Sequence, residues 1–274
     1  MKIIIPMAGY GQRFKNCGYQ LPKPLIKVNN KMVIEYIVDM FDNKDEIIFI
    51  CNQKHIDDDN IKDVLLSHWP DAQILAIPIH NFGPVFTVQA AYDYIDDNEE
   101  VMICYCDNSF IWNYEDFKKK ARNYDGCILT HTGLHPHTLN STKMAFLKVD
   151  GKGLLEEIKE KECYTEDPKS EHASTGAYYF KSGALLKKYC DLSMEKDLNY
   201  NGEYYVTLVY NLLVSDGLKV GYYDTPFVTV FGTPEEVESF EAWHTILNSG
   251  QVKSQKDLLD CYKYWKGYHE NNIC

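Results

Sequence analysis

An α/β fold with a mixed, mainly parallel sheet covered by helices is what this sequence predicts, and three observations carry the prediction. Through the first half, short β-branched runs alternate with segments whose apolar residues recur at helical spacing, the pattern of strands joined by crossover helices. In the second half the rhythm changes to strand-like runs separated by short turns. From Pro234 onward the pattern is helical to about residue 268, with a break near Ser249-Gly250. The 274 residues are 45% hydrophobic and 25% charged, so the chain can bury a large core. With no internal repeat and no low-complexity linker, the reading is a main α/β domain over 1–233 and a helical extension over 234–274 packed on it.

Taken in order, residues 2–6 form a buried strand that runs at once into a glycine-bearing loop. Residues 31–41 place Met32, Ile34, Ile37, Val38 and Phe41 at helical spacing. Residues 46–51 and 73–77 read as further strands, and Asp57-Asp58-Asp59 as a solvated helix start. A helix over 85–94 precedes a strand over 101–106. Residues 127–132, 145–149 and 154–158 are strands, with Asp150-Gly151 a hairpin signal. A strand at 174–180, helices at 183–189 and 204–214, and strands at 219–223 and 227–231 complete the set before Pro234.

Composition removes several function classes. No apolar run approaches the roughly 18–20 residues that span a bilayer, and Ile3-Ile4-Ile5 is too short for a secretory core. A cytoplasmic enzyme without membrane insertion is expected. The net charge of −12 argues against general nucleic-acid binding. None of the nine cysteines forms a Cys-x-x-Cys pair, and several sit in apolar strand-like runs; Cys104-Tyr105-Cys106 fits no common zinc spacing and reads as buried strand thiols. His131, His135 and His137 lack tetrahedral partners and read as a polar loop edge. The four tryptophans and 21 tyrosines would permit a homo-oligomer interface without locating one.

Charge distribution is more telling than its sum. Residues 1–34 hold Lys2, Arg13, Lys15, Lys23, Lys27 and Lys31 and no acid; Glu35 is the first of 40 acidic side chains. A local basic segment in an acidic protein suits a small polyanion. Within it, Pro6-Met7-Ala8-Gly9-Tyr10-Gly11-Gln12-Arg13-Phe14 follows the first strand, and Pro22-Lys23-Pro24-Leu25 comes soon after. Glycines just past a strand let backbone N–H groups approach phosphate oxygens. Arg13 adds a planar donor fork and Lys23 a point charge. Phe14 occupies the third glycine position of a dinucleotide fingerprint, and no Gly-Lys-Ser/Thr follows, so neither a Rossmann fingerprint nor a Walker loop is present. Asp107 follows an apolar strand, where a carboxylate serves either as a turn or helix cap or as a hard-oxygen ligand at the sheet's carboxyl edge.

Strand–Gly-x-Gly-x-Arg-Phe followed by Pro-Lys-Pro-Leu resembles the signature of the nucleotidyltransferases that make nucleotide-activated sugars and alcohols, the sugar-1-phosphate pyrophosphorylases. Glu160-Lys161, Gly176-Ala177-Tyr178-Tyr179-Phe180, Gly202-Glu203-Tyr204-Tyr205-Val206 and Phe231-Gly232-Thr233-Pro234-Glu235 agree, and His135-Pro136 recurs in a branch found among capsule and lipopolysaccharide biosynthesis proteins. The resemblance runs from residue 1 to about 240. It implies a three-layer α/β/α, Rossmann-related (GT-A-like) fold with nucleotide and acceptor sharing a cleft. It implies transfer of a nucleoside monophosphate from a nucleoside triphosphate to a phosphorylated sugar or polyol, with pyrophosphate released. Arg13, Lys23 and Asp107 are the implied catalytic residues, and Asp107 the Mg²⁺ ligand. Ala8, Gly9, Gly11, Arg13, Lys23 and Gly83 are the implied nucleotide-binding set; Glu160, Lys161, Gly176 and Glu203 the acceptor-binding set.

Two departures stand out. Pro84 removes an N–H that might have read the base. Val230 stands where many relatives have an acid acting as second metal ligand, although Asp224 lies nearby. A glycosyltransferase on a similar fold and a non-catalytic nucleotide binder are the competing readings. The first usually presents Asp-x-Asp where this chain has Cys106-Asp107-Asn108-Ser109; the second draws on the absent acid.

Overall fold

The computed structural model describes residues 1–133, 135, 144–250, 252–254, 256–257, 260–261 and 263–264. The chain begins with β1 (Lys2–Met7), a glycine loop, the short helix α1 (Gln12–Asn16) and a 3-10 turn at Lys23–Leu25. A ribbon of β2 (Lys27–Val28) and β3 (Lys31–Met32) leads into α2 (Val33–Val38). Then come β4 (Glu46–Asn52), α3 (Gln53–Asp59), α4 (Ile61–His68), β5 (Gln73–Ile77), α5 (Pro84–Gln89) and β6 (Val101–Cys104). The second half holds β7 (Asn108–Ile111), α6 (Tyr114–Ala121), β8 (Gly126–His131), β9 (Ala145–Val149), β10 (Leu155–Glu160) and β11 (His172–Phe180). It closes with α7 (Gly183–Glu195), α8 (Val206–Ser215), β12 (Val220–Asp224), β13 (Phe227–Val230) and α9 (Pro234–Asn248).

Nine strands make the main sheet, which runs β10-β9-β11-β6-β1-β4-β5 with β8 and β12 continuing from β11. The β5-β4-β1-β6 half is parallel throughout; β11 enters antiparallel to β6 and also pairs antiparallel with β8 and β9. The period of two in a strand explains the layers. Ile3 and Ile5 point into a core with Ile34 and Ile37 of α2, Leu65 of α4 and Phe117 of α6. Ile4 points the other way, into a core with Val85 and Val88 of α5, Leu186 of α7 and Val209 of α8. All three isoleucines are fully buried, each stabilising the fold by roughly 1.5–3 kcal/mol. The expected three-layer architecture is therefore present. Among the described residues no helix is long and apolar enough to cross a membrane.

Several elements differ from expectation for local reasons. The helix expected over 31–41 begins at Val33, because Lys31 and Met32 pair with β2 and the Glu35 carboxylate accepts the Met32 N–H at 2.7 Å. Asp57-Asp58-Asp59 closes α3 instead of opening a helix; Asn60 in the left-handed conformation (φ 53°) separates it from α4. The helix expected over 85–94 ends at Gln89, followed by a 3-10 turn at Tyr92–Tyr94. β6 stops at Cys104, two residues short, and Asp107 lies on the turn beyond it.

That turn leads into β7, which pairs antiparallel with β13 in a separate ribbon, Val230 opposite Asn108. Its end is tied by the Phe231 N–H, which donates to the Asp107 carbonyl at 2.7 Å. α9 then starts with Thr233 accepting the Glu236 N–H and Pro234 in the first turn. Val237 is buried with Phe14, Ile26, Val28, Val33 and Phe231, so α9 packs beside the glycine loop's own helix. α9 ends at Asn248, with Gly250 at φ 72°, where the break was expected. The helical pattern expected beyond it falls mostly outside the described residues, as do Pro136 and His137.

Candidate active site

Parallel pairing of β1 with β6 sets the glycine loop beside the turn that carries Asp107, both at the carboxyl edge of the sheet. Asn52, buried at the end of β4, donates from Nδ2 to the Ala8 carbonyl at 3.3 Å and pins the loop from its other flank. Gly11 caps α1 in the left-handed conformation (φ 62°), as its position requires. Ala8, Gly9, Gly11, Arg13, Lys23, Gly83 and Asp107 all line one hollow of about 450 Å³. The expected nucleotide set therefore converges on one space.

Lys23 is delivered from the opposite side by its 3-10 turn, framed by Pro22 and Pro24 and anchored by buried Leu25. Its ammonium lies 2.8 Å from Asp107 Oδ2. Burial alone would lower the lysine pKa, but the Asp107 carboxylate, with smaller pulls from Cys106 and Glu236, outweighs it and holds the group well above its ordinary value. Lys23 is thus a fixed positive charge at any physiological pH. Arg13 is exposed on α1 and faces the same space.

A second hollow of about 190 Å³ holds Asn108, Met144, Glu160, Lys161, Ser174, Gly176, Tyr178, Val230 and Glu236. Both hollows share Arg13, Tyr105, Asp107, Tyr205 and Gly232, so they form one cleft with Asp107 at the joint. Glu160, Lys161 and Gly176, expected together, line the smaller hollow, whereas Glu203, expected with them, lines the larger one. Glu160 is buried, and one carboxylate oxygen accepts the Thr207 hydroxyl at 2.7 Å. Desolvation raises its pKa against the opposing influence of Thr207 and Lys161. Lys161 sits at φ 58°, a left-handed conformation that favours glycine, with its N–H donating to the Met144 carbonyl. Its ammonium donates to Tyr205 Oη at 2.8 Å, close to the Tyr200 and Tyr205 rings.

Gly83 shows why a residue can line a pocket for reasons of packing. At φ 85°, a Cβ there would meet the Tyr204 backbone nitrogen at 2.7 Å. The Val85 N–H is spent on the Tyr204 carbonyl and the Tyr204 N–H on Phe82. Pro84 therefore sits where an N–H would have been unpaired in the first helical turn, and its loss costs α5 little.

Other residues resolve less expectedly. Val230 does face the cleft, so the position where an acid was sought is apolar. Asp224 does not supply the replacement: it accepts from Thr130 at 2.6 Å and bonds His172 at 2.9 Å. Glu236, which sequence reading passed over, comes much closer; a Cβ on Gly232 would stand 3.1 Å from its Oε2 and 3.4 Å from Asp107 Oδ2. His131 and His135 are buried, with ring centroids 4.5 Å apart, and do not form a polar edge. Burial pushes His131 down to about 3. Among the described residues no three His, Cys, Asp or Glu side chains gather as a metal centre, and eight cysteines are free. Asn52, Tyr105, Tyr205 and Glu236 are the residues missed. Asn52, at the carboxyl end of a predicted strand, carried a positional signal, and Tyr205 stood in the Gly202–Val206 motif without a role assigned to it.

Comparison with known proteins bears on the fold and the family. The bifunctional protein GlmU of Clostridioides difficile (strain 630) is 27% identical over 224 residues, 80% of this chain and 46% of that protein. This chain thus spans about half the length of such relatives. A nucleoside-diphosphate-sugar pyrophosphorylase from Vibrio cholerae RC9 superposes with a TM-score of 0.71 at 21% identity, covering 88% of this chain and 99% of that one. A putative glucose-1-phosphate thymidylyltransferase from Bacillus anthracis gives 0.69 at 19%, covering 89% and 94%. Those structures share the fold. The family model described as Nucleotidyl transferase matches residues 2–215, most of the chain, and the protein belongs to that family.

Proposed function

We propose that this chain transfers a nucleoside monophosphate from a nucleoside triphosphate to a phosphorylated sugar or polyol, releasing pyrophosphate. The observation that carries the reading is the joint of the two hollows, where Lys23, Arg13 and Asp107 share one space with the glycine loop. The larger hollow suits a nucleoside triphosphate and the smaller a compact phosphorylated acceptor. An acceptor phosphate oxygen attacks the α-phosphorus, and the bond from that phosphorus to the β-phosphate oxygen breaks. The acceptor is already anionic at neutral pH, so no general base is needed. Lys23 and Arg13 neutralise charge as it shifts onto the departing pyrophosphate, and the glycine loop orients the triphosphate.

Mg²⁺ fits the donor set, because Asp107 and Glu236 offer hard carboxylate oxygens on one wall and Mg²⁺ commonly takes one or two carboxylates with water and phosphate oxygens. When bound, it would supply charge neutralisation at the phosphates. Residues 1–233 serve as the catalytic domain, and the 234–274 extension contributes Glu236 from its first turn. We further propose a cytoplasmic enzyme whose product feeds surface polysaccharide synthesis, a role that rests on the sequence resemblance alone.

The test is a pyrophosphate-release screen of four nucleoside triphosphates against sugar, polyol and aminoalcohol phosphates with Mg²⁺. One or a few pairs should release pyrophosphate in step with product. Consumption of a nucleotide-sugar without pyrophosphate would make the protein a glycosyltransferase, and tight nucleotide binding without product a non-catalytic binder.

A further inference from the structure

We propose that Tyr205 couples the two halves of the cleft, relaying occupancy of the nucleotide side to Lys161 on the acceptor side. The proposal rests on the reaction proposed above. Tyr205 is one of the side chains common to both hollows; Glu203 belongs to the larger and Lys161 to the smaller. Its hydroxyl accepts from Lys161 Nζ at 2.8 Å and donates to Glu203 Oε2. The polarity of this chain is forced. An ammonium can only donate and a carboxylate can only accept, so the one phenolic hydrogen goes to Glu203 and a lone pair takes Lys161.

The frame that holds the relay is stiff. Tyr200 and Glu203 exchange both backbone hydrogen bonds, at 2.9 and 3.1 Å. Tyr204 is bonded on both sides, to Phe82 and Val85, at the edge of the nucleotide hollow. Tyr205 caps α8, whose next residue, Val206, is fully buried. Of the three partners, Lys161 has the longest flexible side chain, so it is the member free to change allegiance.

The direction of coupling follows from the polarity. The Glu203 carboxylate draws on the phenolic hydrogen, and this makes the phenolic oxygen a better acceptor for Lys161. A nucleotide hydroxyl donating to Glu203 weakens that draw and loosens the hold on Lys161. The ammonium then turns to the acceptor's phosphate, a charged and stronger partner. Nucleotide should therefore tighten acceptor binding, and by linkage acceptor should tighten nucleotide binding. Tyr205 acts through its neighbours and is a positioning residue.

The experiment is bisubstrate initial-rate kinetics on the full chain, with the pair giving the highest turnover in the screen above. In the parent, the acceptor KM should fall at least about fivefold between trace and saturating nucleotide. Tyr205→Phe keeps the ring beside Lys161 and removes the relay, so this ratio should collapse to near one while kcat changes less. Glu203→Gln, which still accepts a hydrogen bond but carries no charge, should give an intermediate ratio; thermal melting of each variant confirms folding. A parent without pyrophosphate release would fail the proposed reaction and take the coupling with it. An active parent whose full ratio survives in Tyr205→Phe would overturn the coupling alone.

Discussion

The two sides of the cleft are built differently. About half of the larger hollow, the proposed triphosphate side, comes from one stretch, residues 6–24, laid against the end of a parallel strand pair; the 80–87 segment, the 105–107 turn, Glu203, Tyr205 and Gly232 supply the rest. The smaller hollow, the proposed acceptor side, is assembled from β7, β10, β11, the Tyr205 turn and the first turn of α9, which lie far apart in the chain. A site that grips a group common to all nucleotides can be written as one compact motif. A site that must suit one acceptor is distributed over loops and strand ends that can change separately.

Predictions can break or sharpen this contrast. The largest effect belongs to the joint: Asp107→Asn should reduce kcat about 1000-fold and abolish the response to Mg²⁺ concentration, read by pyrophosphate release. A normal metal titration would place the metal elsewhere. Next, Lys23→Ala should lower kcat by about 100-fold and Arg13→Ala by about 10-fold, with acceptor KM nearly unchanged, since the charge they face grows in the transition state. A change confined to acceptor KM would blur the two sides into one.

Glu160→Gln should raise acceptor KM about 10-fold while leaving nucleotide KM alone. The same substitution should raise stability at pH 7. The native state holds the Glu160 proton more tightly than the unfolded chain does, so ionisation at neutral pH weakens the fold. That gain should vanish below the ordinary carboxylate pKa; melting curves at pH 7 and pH 4 decide it.

A separate effect, on stability and not on turnover, concerns His131, whose ring lies against Met144 of the smaller hollow. Held down to about 3, it stays neutral in the native state while the unfolded chain takes up its proton below about 6.5. Stability should fall as pH drops through that window, by up to about 1.4 kcal/mol per pH unit. Urea midpoints at pH 7 and pH 5 should converge in His131→Phe; equal slopes in both proteins would remove His131 from the account.

The same contrast governs what was legible in the sequence. Alternating runs exposed β1, β4, β5 and β6, and the order of layers followed, because buried parallel strands leave dense apolar signatures. The loop from Ala8 to Arg13 was legible because its glycines, arginine and Pro-Lys-Pro sit within one window. β7 was not, since Asn108-Ser109-Phe110-Ile111 gains strand character only by pairing with β13. Glu236 looked like one more acid at a helix start; its nearness to Asp107 depends on that long-range ribbon. His131 read as polar because the residues that bury it come from elsewhere in the chain.

The tether between Phe231 and Asp107 has a consequence for biosynthesis. Asp107 is held at its carbonyl by a segment near the C-terminus and at its carboxylate by Lys23 near the N-terminus. As the polypeptide leaves the ribosome, the parallel half can collapse early around its apolar strands, yet the Asp107 turn stays untied until β13 emerges. A nascent chain halted before that strand would hold the glycine loop already formed, with the Asp107 turn across from it still unfastened at its carbonyl.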